Sequence, residues 1–520
     1  MYKLGLDVGG TNTDAVILDE NLQVIASTKT HTTDDIQSGI TKAIGIVVGE
    51  SGVDPLKITQ ATLGTTQATN AIVERKKLGT VGVLRIGYPA TASIVPYTEW
   101  PIDIVEKLSG TYALVHGGYE FNGDELSGFD EDEIRGVLSE WRGKVDSIAI
   151  VGVFSSINDQ QEQRALELVY EVLGENFPIS KSSEIGSVGL IGRENATILN
   201  SALFKVIKKV TKGLSEALRA ENIINAKQYL CQNDGTLMAL DYAENYPILT
   251  IGSGPTNSIR GAGYLSGEKN ALVLDIGGTT SDIGVLVNGF PRESSKSVIV
   301  GGVETNFRMP DILSIGLGGG SVIHKAEDGT VSVGPDSVGY MITEKAKVFG
   351  GDVVTATDIA VKLGMVTLGN PELVADIPEE DASKALNAIR KLLNDGIDQM
   401  KTSSEAIKVI LVGGGSIVAP TDLSGVSAVE TNKHGGVANA IGATIAQIGG
   451  EFEKMYPYVE VPRESALKDA TKLATEQAVS AGAVEETVQV VEIEETPLSY
   501  APGDTTRVKV KVVGNADKVS

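Results

Sequence analysis

The chain has few of the residues that thiol and imidazole chemistry require. Among 520 residues there are one cysteine, Cys231, and four histidines. A single cysteine cannot form an intramolecular disulfide or a cysteine-rich metal site, and no two histidines stand at the His-x₃-His spacing of a zinc site. A hydrolase built on a histidine-ligated metal, or on a Cys–His or Ser–His–Asp arrangement, is therefore not expected.

Positive charge and long apolar runs are also scarce. Lys and Arg total 44 against 68 Asp and Glu, which gives a formal net charge of −24. So acidic a chain is not expected to bind nucleic acid or an acidic membrane surface. No apolar run approaches the roughly 20 residues of a membrane-spanning helix, and the first apolar strand pattern begins without a leader segment. We therefore expect a cytoplasmic protein.

Two segments of the chain nearly repeat each other, about half the chain apart. Residues 7–14 and 275–282 share the pattern Asp-[Val/Ile]-Gly-Gly-Thr-x-[Thr/Ser]-Asp. Each copy follows an apolar strand pattern and leads into a second one, and Asn288-Gly289 after the second copy is a strong hairpin signal. Each half of the protein is therefore predicted to contain a strand, a Gly-Gly-Thr turn and a return strand.

The Gly-Gly-Thr turn is suited to phosphate. Glycines leave successive backbone N–H groups open to a ligand, and neighbouring hydroxyl groups add donors. We predict catalytic roles for the four carboxylates of the repeats, with Asp7 and Asp275 as Mg²⁺ ligands and Asp14 and Asp282 as outer ligands, water-orienting bases or turn stabilisers. The predicted phosphate-binding residues are Gly9, Gly10, Thr11, Asn12, Thr13, Gly277, Gly278, Thr279, Thr280 and Ser281.

A third glycine-rich segment follows a strand pattern at 409–412. It consists of Gly413, Gly414, Gly415 and Ser416, and a helical pattern follows over residues 436–448. Small residues after a strand leave room for a flat base or a ribose against the backbone. An adenosine site and a plain strand–helix corner both fit this segment.

In this order, the segments 7–14, 275–282 and 413–416 resemble the two phosphate motifs and the adenosine motif of the actin, sugar-kinase and heat-shock-chaperone ATPase superfamily. Further stretches resemble the hydantoinase A/oxoprolinase family: 63–71, 193–200, 232–238, 253–255 and 310–321. The resemblance implies an α/β fold of two ribonuclease-H-like (actin-like ATPase) lobes with a cleft for ATP and Mg²⁺ between them. We place the lobes at residues 1–185 and 186–450. A charged helical pattern and alternating strand patterns predict a small α+β extension at 451–520.

The same resemblance implies an enzyme that opens cyclic amides at the expense of ATP. Hydantoins, 5-oxoproline and lactams are the implied substrates, and ATP would phosphorylate the amide carbonyl oxygen before hydrolysis. A second subunit, similar to hydantoinase B, and an oligomeric assembly are also expected. The predicted substrate-side residues in family-like stretches are Thr65, Thr66, Arg75, Arg193 and Asp311.

The chain departs from the family pattern at three places. Leu63 and Leu313 stand where the family usually has histidines. If those histidines contact metal or substrate in relatives, this chain has lost both contacts. The family's Gly-Pro-Ala-Gly-Gly is replaced by residues 254–258, where Asn257 and Ser258 stand in place of two glycines.

Three other functions are compatible with the sequence. The same ATP chemistry serves carboxylation in some relatives of the family. A small-molecule kinase also fits the Asp-x-Gly-Gly-Thr start, although the sugar-kinase group it resembles carries a cysteine-rich zinc motif that this chain lacks. A nucleotide-gated regulator without turnover is the third alternative, favoured by the two lost histidines.

Overall fold

The computed structural model describes residues 1–10, 12–32, 36–186, 188–294, 297–307, 309–498 and 503–516. Strands and helices alternate along most of the chain, as the α/β prediction requires. The strands are β1 Tyr2–Val8, β2 Asn12–Leu18, β3 Val24–His31, β4 Ile58–Thr65, β5 Val81–Tyr88, β6 Thr111–His116, β7 Ser147–Gly152, β8 Ile179–Lys181, β9 Lys227–Cys231, β10 Leu237–Ala239, β11 Ala271–Ile276, β12 Ser281–Val287, β13 Phe290–Pro291, β14 Val298–Val300, β15 Val303–Thr305, β16 Ile312–Ile315, β17 Ser321–Lys325, β18 Val331–Ser337, β19 Ile407–Val412, β20 Val426–Thr431, β21 Ile448–Pro457, β22 Gln489–Pro497 and β23 Thr505–Gly514.

The α-helices of the described residues follow most of the predicted helical patterns. They are α1 Ile36–Ser51, α2 Gln67–Val73, α3 Ile102–Lys107, α4 Glu131–Trp141, α5 Gln160–Leu173, α6 Leu190–Ala202, α7 Phe204–Ala220, α8 Leu240–Asn245, α9 Ser253–Ser266, α10 Ile342–Lys345, α11 Ala356–Lys362, α12 Glu379–Met400, α13 Ala438–Ile445 and α14 Arg463–Ser480. One region differs from its sequence pattern: the apolar spacing from Leu199 to Leu218 favours a single long helix, but the structure has two helices that meet at Leu203. The reason is that α6 packs on β7 whereas α7 packs on α1.

The largest sheet of the described residues draws its strands from three distant parts of the chain. Its order is β22-β23-β21-β10-β9-β4-β1-β2-β3. β1 and β2 form the first predicted hairpin, and β4 lies parallel to β1 on its other side. Buried aliphatic side chains from α1, α7 and the central strands form the core beneath this sheet. The hairpin at residues 7–14 is thereby held between β4 and the edge strand β3.

The extension predicted at 451–520 does not form a layer of its own. β21 pairs in parallel with β10, and β23 and β22 continue the same sheet beyond it. α14 covers these strands with a stripe of alanines, Ala466, Ala470, Ala474 and Ala478, all fully buried. Gly450 allows α14 to pack closely on β21, because a Cβ at this position would overlap the α14 backbone. The alternating pattern of these strands therefore joins them to the N-terminal sheet.

A second sheet holds the second copy of the repeat. Its order is β13-β12-β11-β19-β20, and β16 also pairs with β12, on the side away from β11. β11 and β12 form the predicted hairpin, and β19 lies parallel to β11 as β4 does to β1. The turn into β13 is at Asn288-Gly289, and both residues have positive φ, as the dipeptide predicts. A separate four-stranded sheet, β6-β5-β7-β8, lies within residues 81–181.

Two helices cross between the two large sheets. α13 packs on β1, β2 and β4 of the first sheet, and α9 packs on β11, β12 and β19 of the second. The helices touch backbone to backbone: a Cβ on Gly261 would overlap the Ala438 carbonyl oxygen, and one on Gly442 would overlap that of Asn257. Any side chain at either glycine would push the sheets apart. The crossing fixes how the two hairpins face each other.

Candidate functional site

The two copies of the repeat form the same hairpin with the same register. Asp7 lies opposite Asp14 in the first, and Asp275 lies opposite Asp282 in the second. A single backbone hydrogen bond closes each turn, from the Gly9 N–H to the Asn12 carbonyl (3.0 Å) and from the Gly277 N–H to the Thr280 carbonyl (2.9 Å). Residues directly opposite each other share a face of a sheet, so both carboxylates of each copy lie on one face.

The carboxylates of the first hairpin are held by side chains from three other elements. The Asn439 amide, at the start of α13, donates to Asp7 Oδ2 (2.9 Å) and to Asp14 Oδ2 (2.7 Å). Asn257 on α9 donates to Asp7 Oδ1 (3.3 Å), and Lys29 on β3 forms an ion pair with Asp14 Oδ1 (2.5 Å). The result is a buried pair of carboxylates whose charge is offset by two amides and one cation.

Burial changes the acidity of Asp7. Removal from water, and next the charge of Asp14, raise the pKa of Asp7 to about 7, although the amides of Asn257 and Asn439 and the charge of Lys29 lower it. A raised carboxylate pKa is typical of functional sites. A cation placed against Asp7 would be favoured, because it would neutralise a charge that the protein interior disfavours.

The second hairpin has fewer polar partners. Burial raises the pKa of Asp275 to about 6, opposed by a hydrogen bond from the Ser258 side chain. The charges of Lys29 and Asp14 in the other sheet also act on the pKa of Asp275, so the two hairpins lie near each other. Burial likewise raises the pKa of Asp282, whose Oδ1 accepts a hydrogen bond from the Ser314 hydroxyl.

A glycine lies over the first carboxylate of each hairpin. It belongs to the strand that runs parallel to the hairpin, or directly follows that strand. Gly64, near the end of β4, leaves open the position where a Cβ would overlap Asp7 Oδ1 and the Asn257 amide. Gly413, just after β19, does the same for Asp275 Oδ1 and has a φ of +85°. The absence of side chains here is what allows the two carboxylates their present positions.

Two glycine-rich loops support the second turn. The N–H groups of Gly319 and Gly320 donate to the carbonyls of Gly277 (2.9 Å) and Gly278 (2.8 Å), and the Gly415 N–H donates to the Ile276 carbonyl (2.7 Å). The predicted adenosine segment 413–416 thus lies directly against the second hairpin. Residues 278–280 remain exposed at the turn, as does Gly10 in the first copy. Their backbone N–H groups can face a ligand.

Two of the predicted phosphate donors are used elsewhere. Thr13 lies opposite Val8 on the other face of the sheet from Asp7, and its hydroxyl contacts that of Thr32 (3.3 Å). The Ser281 hydroxyl donates to the Leu317 carbonyl (2.6 Å). Alternation along a strand turns both residues away from the carboxylate face, so they stabilise the hairpins instead. Thr11 lies outside the described residues.

The predicted substrate-side residues fall into two groups. Thr65 and Thr66 lie beside the first hairpin: the Thr66 N–H donates to the Val8 carbonyl (3.2 Å), and the Thr65 carbonyl accepts from Ser253 at the start of α9 (3.3 Å). The Thr65 hydroxyl caps the next residue but one, Gln67 (3.2 Å). This pair remains a candidate for ligand contact.

The other three predicted substrate residues are engaged in structural contacts. Arg75 binds the Asp103 carboxylate (3.0 Å) and the Gly301 carbonyl (2.7 Å). Arg193 is buried and donates to the Gly152 carbonyl (2.7 Å), while Asp311 forms an ion pair with Arg292 (2.7 Å). From the sequence, substrate contacts were predicted for these charged residues because they stand in family-like stretches. In the structure, their contacts join segments that are distant in the chain.

The two positions that lack the family's usual histidines do not share a site. Leu63 is fully buried in the core of the first sheet, and Leu313 packs against the core of the second, facing α12 near Gly396. In each strand the following residue, Gly64 or Ser314, lies on the face that carries the carboxylates. Leu63 and Leu313 therefore point to the opposite face. Both leucines therefore contribute to packing.

The site is suited to a metal held partly by its nucleotide. Across the ranges that the structure describes, no group of three or more His, Cys, Asp or Glu side chains is arranged to hold a metal ion unaided. Mg²⁺ typically takes one or two carboxylates and completes its shell with phosphate and water. Asp7 and Asp275, each under a glycine, fit that mode of binding.

Comparison with known proteins identifies the family. The hydantoinase/oxoprolinase N-terminal region matches residues 3–173, and the hydantoinase/oxoprolinase region matches residues 193–407. The chain belongs to the hydantoinase/oxoprolinase family. The assignment made from the motifs is thus confirmed, and both hairpins lie inside the matched regions.

Several relatives of this family member are named as enzymes or enzyme subunits. Caprolactamase subunit alpha of Pseudomonas jessenii is 26% identical over 75% of this chain and 58% of its own length. The acetophenone carboxylase gamma subunit of Aromatoleum aromaticum is 25% identical over 71% of this chain and 53% of its own, and 5-oxoprolinase 1 of Arabidopsis thaliana 27% over 64% and 28%. The chain therefore spans only part of the length of these relatives.

Solved structures confirm the mixed α/β fold. The ATP-dependent caprolactamase from Pseudomonas jessenii superposes with a TM-score of 0.82 at 19% identity, covering 99% of this chain and 88% of that one. Nucleotide-free acetone carboxylase gives 0.67 at 18% identity, covering 98% and 87%. At these sequence identities, the similarity shows the fold alone.

Within the described residues, none of the helices has the length and apolar character of a membrane span.

Several residues of the site were not predicted from sequence. Asn439 stands in an apolar helical pattern, and Lys29 in an alternating strand of threonines and serines, so neither pattern indicates a carboxylate partner. Asn257 and Ser258 were visible only as departures from the family's glycines. Gly64 stood in a family-like stretch, but its place over Asp7 depends on the pairing of β1 with β4.

Proposed function

We propose that the chain binds ATP and Mg²⁺ in the space between the two hairpins, in the manner of actin-like ATPases. The observation that carries the proposal is the repeated geometry: two hairpins of equal register, each with an exposed glycine turn, lie on either side of the α9–α13 crossing. The leading carboxylate is buried in the first, Asp7, and partly buried in the second, Asp275. A structural duplication without a ligand would not need carboxylates that burial makes less acidic.

We assign the following roles to the residues of the site. The exposed N–H groups of Gly10 and of residues 278–280 would bind phosphate oxygens, and the 413–416 segment would lie against the adenosine. Asp7 and Asp275 would hold Mg²⁺ partly through water, with Asp14 and Asp282 behind them. When bound, Mg²⁺ neutralises charge that develops on the transferring phosphoryl group, a form of electrostatic stabilisation that is usually a large catalytic contribution.

We infer that the ATP serves to open a cyclic amide. Two relatives support this class: one is named a caprolactamase and another a 5-oxoprolinase. The γ-phosphoryl group would pass to the amide carbonyl oxygen and ADP would leave. Water would then add to the carbon, and the ring C–N bond would break, with a proton going to the nitrogen, to leave an amine and an acyl phosphate. A second water would hydrolyse the acyl phosphate to a carboxylate and inorganic phosphate. Thr65 and Thr66, beside the first hairpin, are the residues we place nearest the amide.

Carboxylation is the second candidate function. It is favoured by the acetophenone carboxylase and acetone carboxylase subunits among the relatives. In that case the phosphoryl group would activate a ketone or bicarbonate. Because several relatives are named as alpha, beta or gamma subunits, we also propose that a second subunit completes the reaction in either case.

The test is ADP release by the purified chain with Mg·ATP and a panel of hydantoins, 5-oxoproline and small lactams, with and without bicarbonate. Stimulation by one ring amide in the absence of bicarbonate would support the amidohydrolase. A strict bicarbonate requirement with a ketone would support the carboxylase. ATP binding without stimulation by any compound, even with co-purifying partners added back, would contradict both and favour a regulator.

A further inference from the structure

Two neighbouring residues of α9 reach the leading carboxylates of both hairpins. Asn257 donates to Asp7 Oδ1 (3.3 Å), and the hydroxyl of Ser258 bonds to Asp275. Both residues are almost completely buried, with 0% and 3% of their surface exposed. Two consecutive positions of one helix thus contact both hairpins.

The surroundings of the two side chains leave them little freedom. The Asn257 amide occupies the space that Gly64 leaves open, because a Cβ on Gly64 would overlap it. α9 itself cannot shift along α13 without a clash, since Gly261 and Gly442 bring the two backbones into contact. A side chain fixed on a fixed helix is well placed to orient a carboxylate.

We propose that Asn257 and Ser258 are positioning residues that fix the two metal-side carboxylates relative to each other through one helix. Consecutive residues of a helix project about 100° apart, so one points to the first sheet and the next to the second. The proposal rests on the proposed function, because it assumes that Asp7 and Asp275 together hold a nucleotide-bound divalent cation.

The physical effect expected is on cation affinity. Partners that hydrogen-bond to metal-binding carboxylates fix their orientation, and losing one typically weakens metal binding about 10- to 100-fold. Here Asp7 would keep the Asn439 amide after loss of Asn257, whereas the hydrogen bond that lowers the pKa of Asp275 comes from Ser258. Loss of Ser258 should therefore weaken the cation at least as much as loss of Asn257.

The experiment measures binding of Mn²⁺ to the full chain by electron paramagnetic resonance, with saturating ADP present. We expect Asn257→Gly and Ser258→Ala each to raise the Mn²⁺ dissociation constant about 10-fold. Ser258→Thr keeps the hydroxyl and should restore wild-type affinity. Affinity for a fluorescent ADP analogue in the presence of EDTA should stay the same in all variants, which a general loss of structure would not allow.

A control on the same helix separates the contact from helix stability. Ser266 bonds only to backbone groups near the end of α9, so Ser266→Ala should leave Mn²⁺ binding unchanged. If Asn257→Gly fails to fold, the Mn²⁺ dissociation constants of Ser258→Ala and Ser258→Thr are compared, and that comparison tests the positioning role. Unchanged Mn²⁺ affinity in both variants overturns the positioning role. Absence of Mn²⁺·ADP binding by the wild-type chain would instead overturn the proposed function.

Discussion

The two hairpins share a motif and a register but differ in what surrounds them. The first carries a tight charge cluster: Asp7 and Asp14 share the amide of Asn439, and Lys29 pairs with Asp14. In the second, Asp275 has a single hydroxyl partner, and glycine-rich loops instead hold the turn. The same motif is thus stabilised in two ways. We propose that both copies supply a metal-side carboxylate, that the first holds the denser cluster of charged side chains, and that the second is also the phosphate cradle.

Removing the carboxylate of the second hairpin should show whether the cradle also needs its charge. Asp275→Ala is expected to lower ATP turnover about 10³-fold while the fold remains intact, because a preorganised charge at the phosphoryl group is lost. ADP release with Mg·ATP gives the rate. Asp336→Ala, an exposed carboxylate on β18 paired with His324, is the control. An undiminished rate would contradict the two-hairpin site.

The comparison extends to the two positions where the family usually has histidine. Leu63→His should lower the free energy of unfolding by about 3 kcal/mol, because it buries a polar ring in a packed aliphatic core. Leu313→His should cost about 1 kcal/mol, since Leu313 is only partly buried. Urea denaturation measures both. A gain of turnover in either variant would show that the position acts on the substrate.

The glycines over the carboxylates can be tested separately from the carboxylates. Gly413→Ala places a Cβ on Asp275 Oδ1 and forces alanine to a φ of +85°. We expect about a 100-fold loss of ATP turnover from the displaced carboxylate. Gly49→Ala, on the exposed side of α1 with open space around it, is the matched control. Equal rates in the two variants would show that the position of Asp275 is not critical.

The cation of the first hairpin gives the smallest expected effect. Lys29 is partly exposed, with 39% of its side chain in solvent, so its charge is partly screened. Lys29→Met leaves the Asp7–Asp14 pair without its cation and should lower kcat/KM for ATP about 10-fold. The control is Lys42→Met on the exposed side of α1. A rise in kcat/KM would reverse the roles we assign to the two copies.

Much of the local structure could be predicted from the sequence. The two hairpins, the Asn288-Gly289 turn and helix α12 over Glu379–Met400 follow from patterns within 10 to 20 residues, where propensity and alternation act directly. The exchange of the family's glycines for Asn257 and Ser258 was also visible. Its consequence was not, because nothing local indicates which carboxylate a helix side chain will reach.

For some predicted site residues, the structure shows contacts that the sequence did not indicate. Arg75, Arg193 and Asp311 stand in family-like stretches, and an ionisable residue in such a stretch looks the same whether it meets a ligand or a distant backbone carbonyl. For Ser281, alternation along the strand predicts a side chain turned away from the carboxylates, but its acceptor at Leu317 depends on how a loop of the second sheet folds back.

By itself, the sequence determined the family, the α/β class and the two glycine turns of the repeated hairpins, because these depend on residue type and short spacing. The tertiary structure alone decided which side chains meet at the site. Sheet pairing and the glycine crossing of α9 and α13 bring together residues as far apart as Asp7 and Asn439. It also decided that the last strands join the first sheet, since an alternating pattern fixes the face of a strand but not its neighbour.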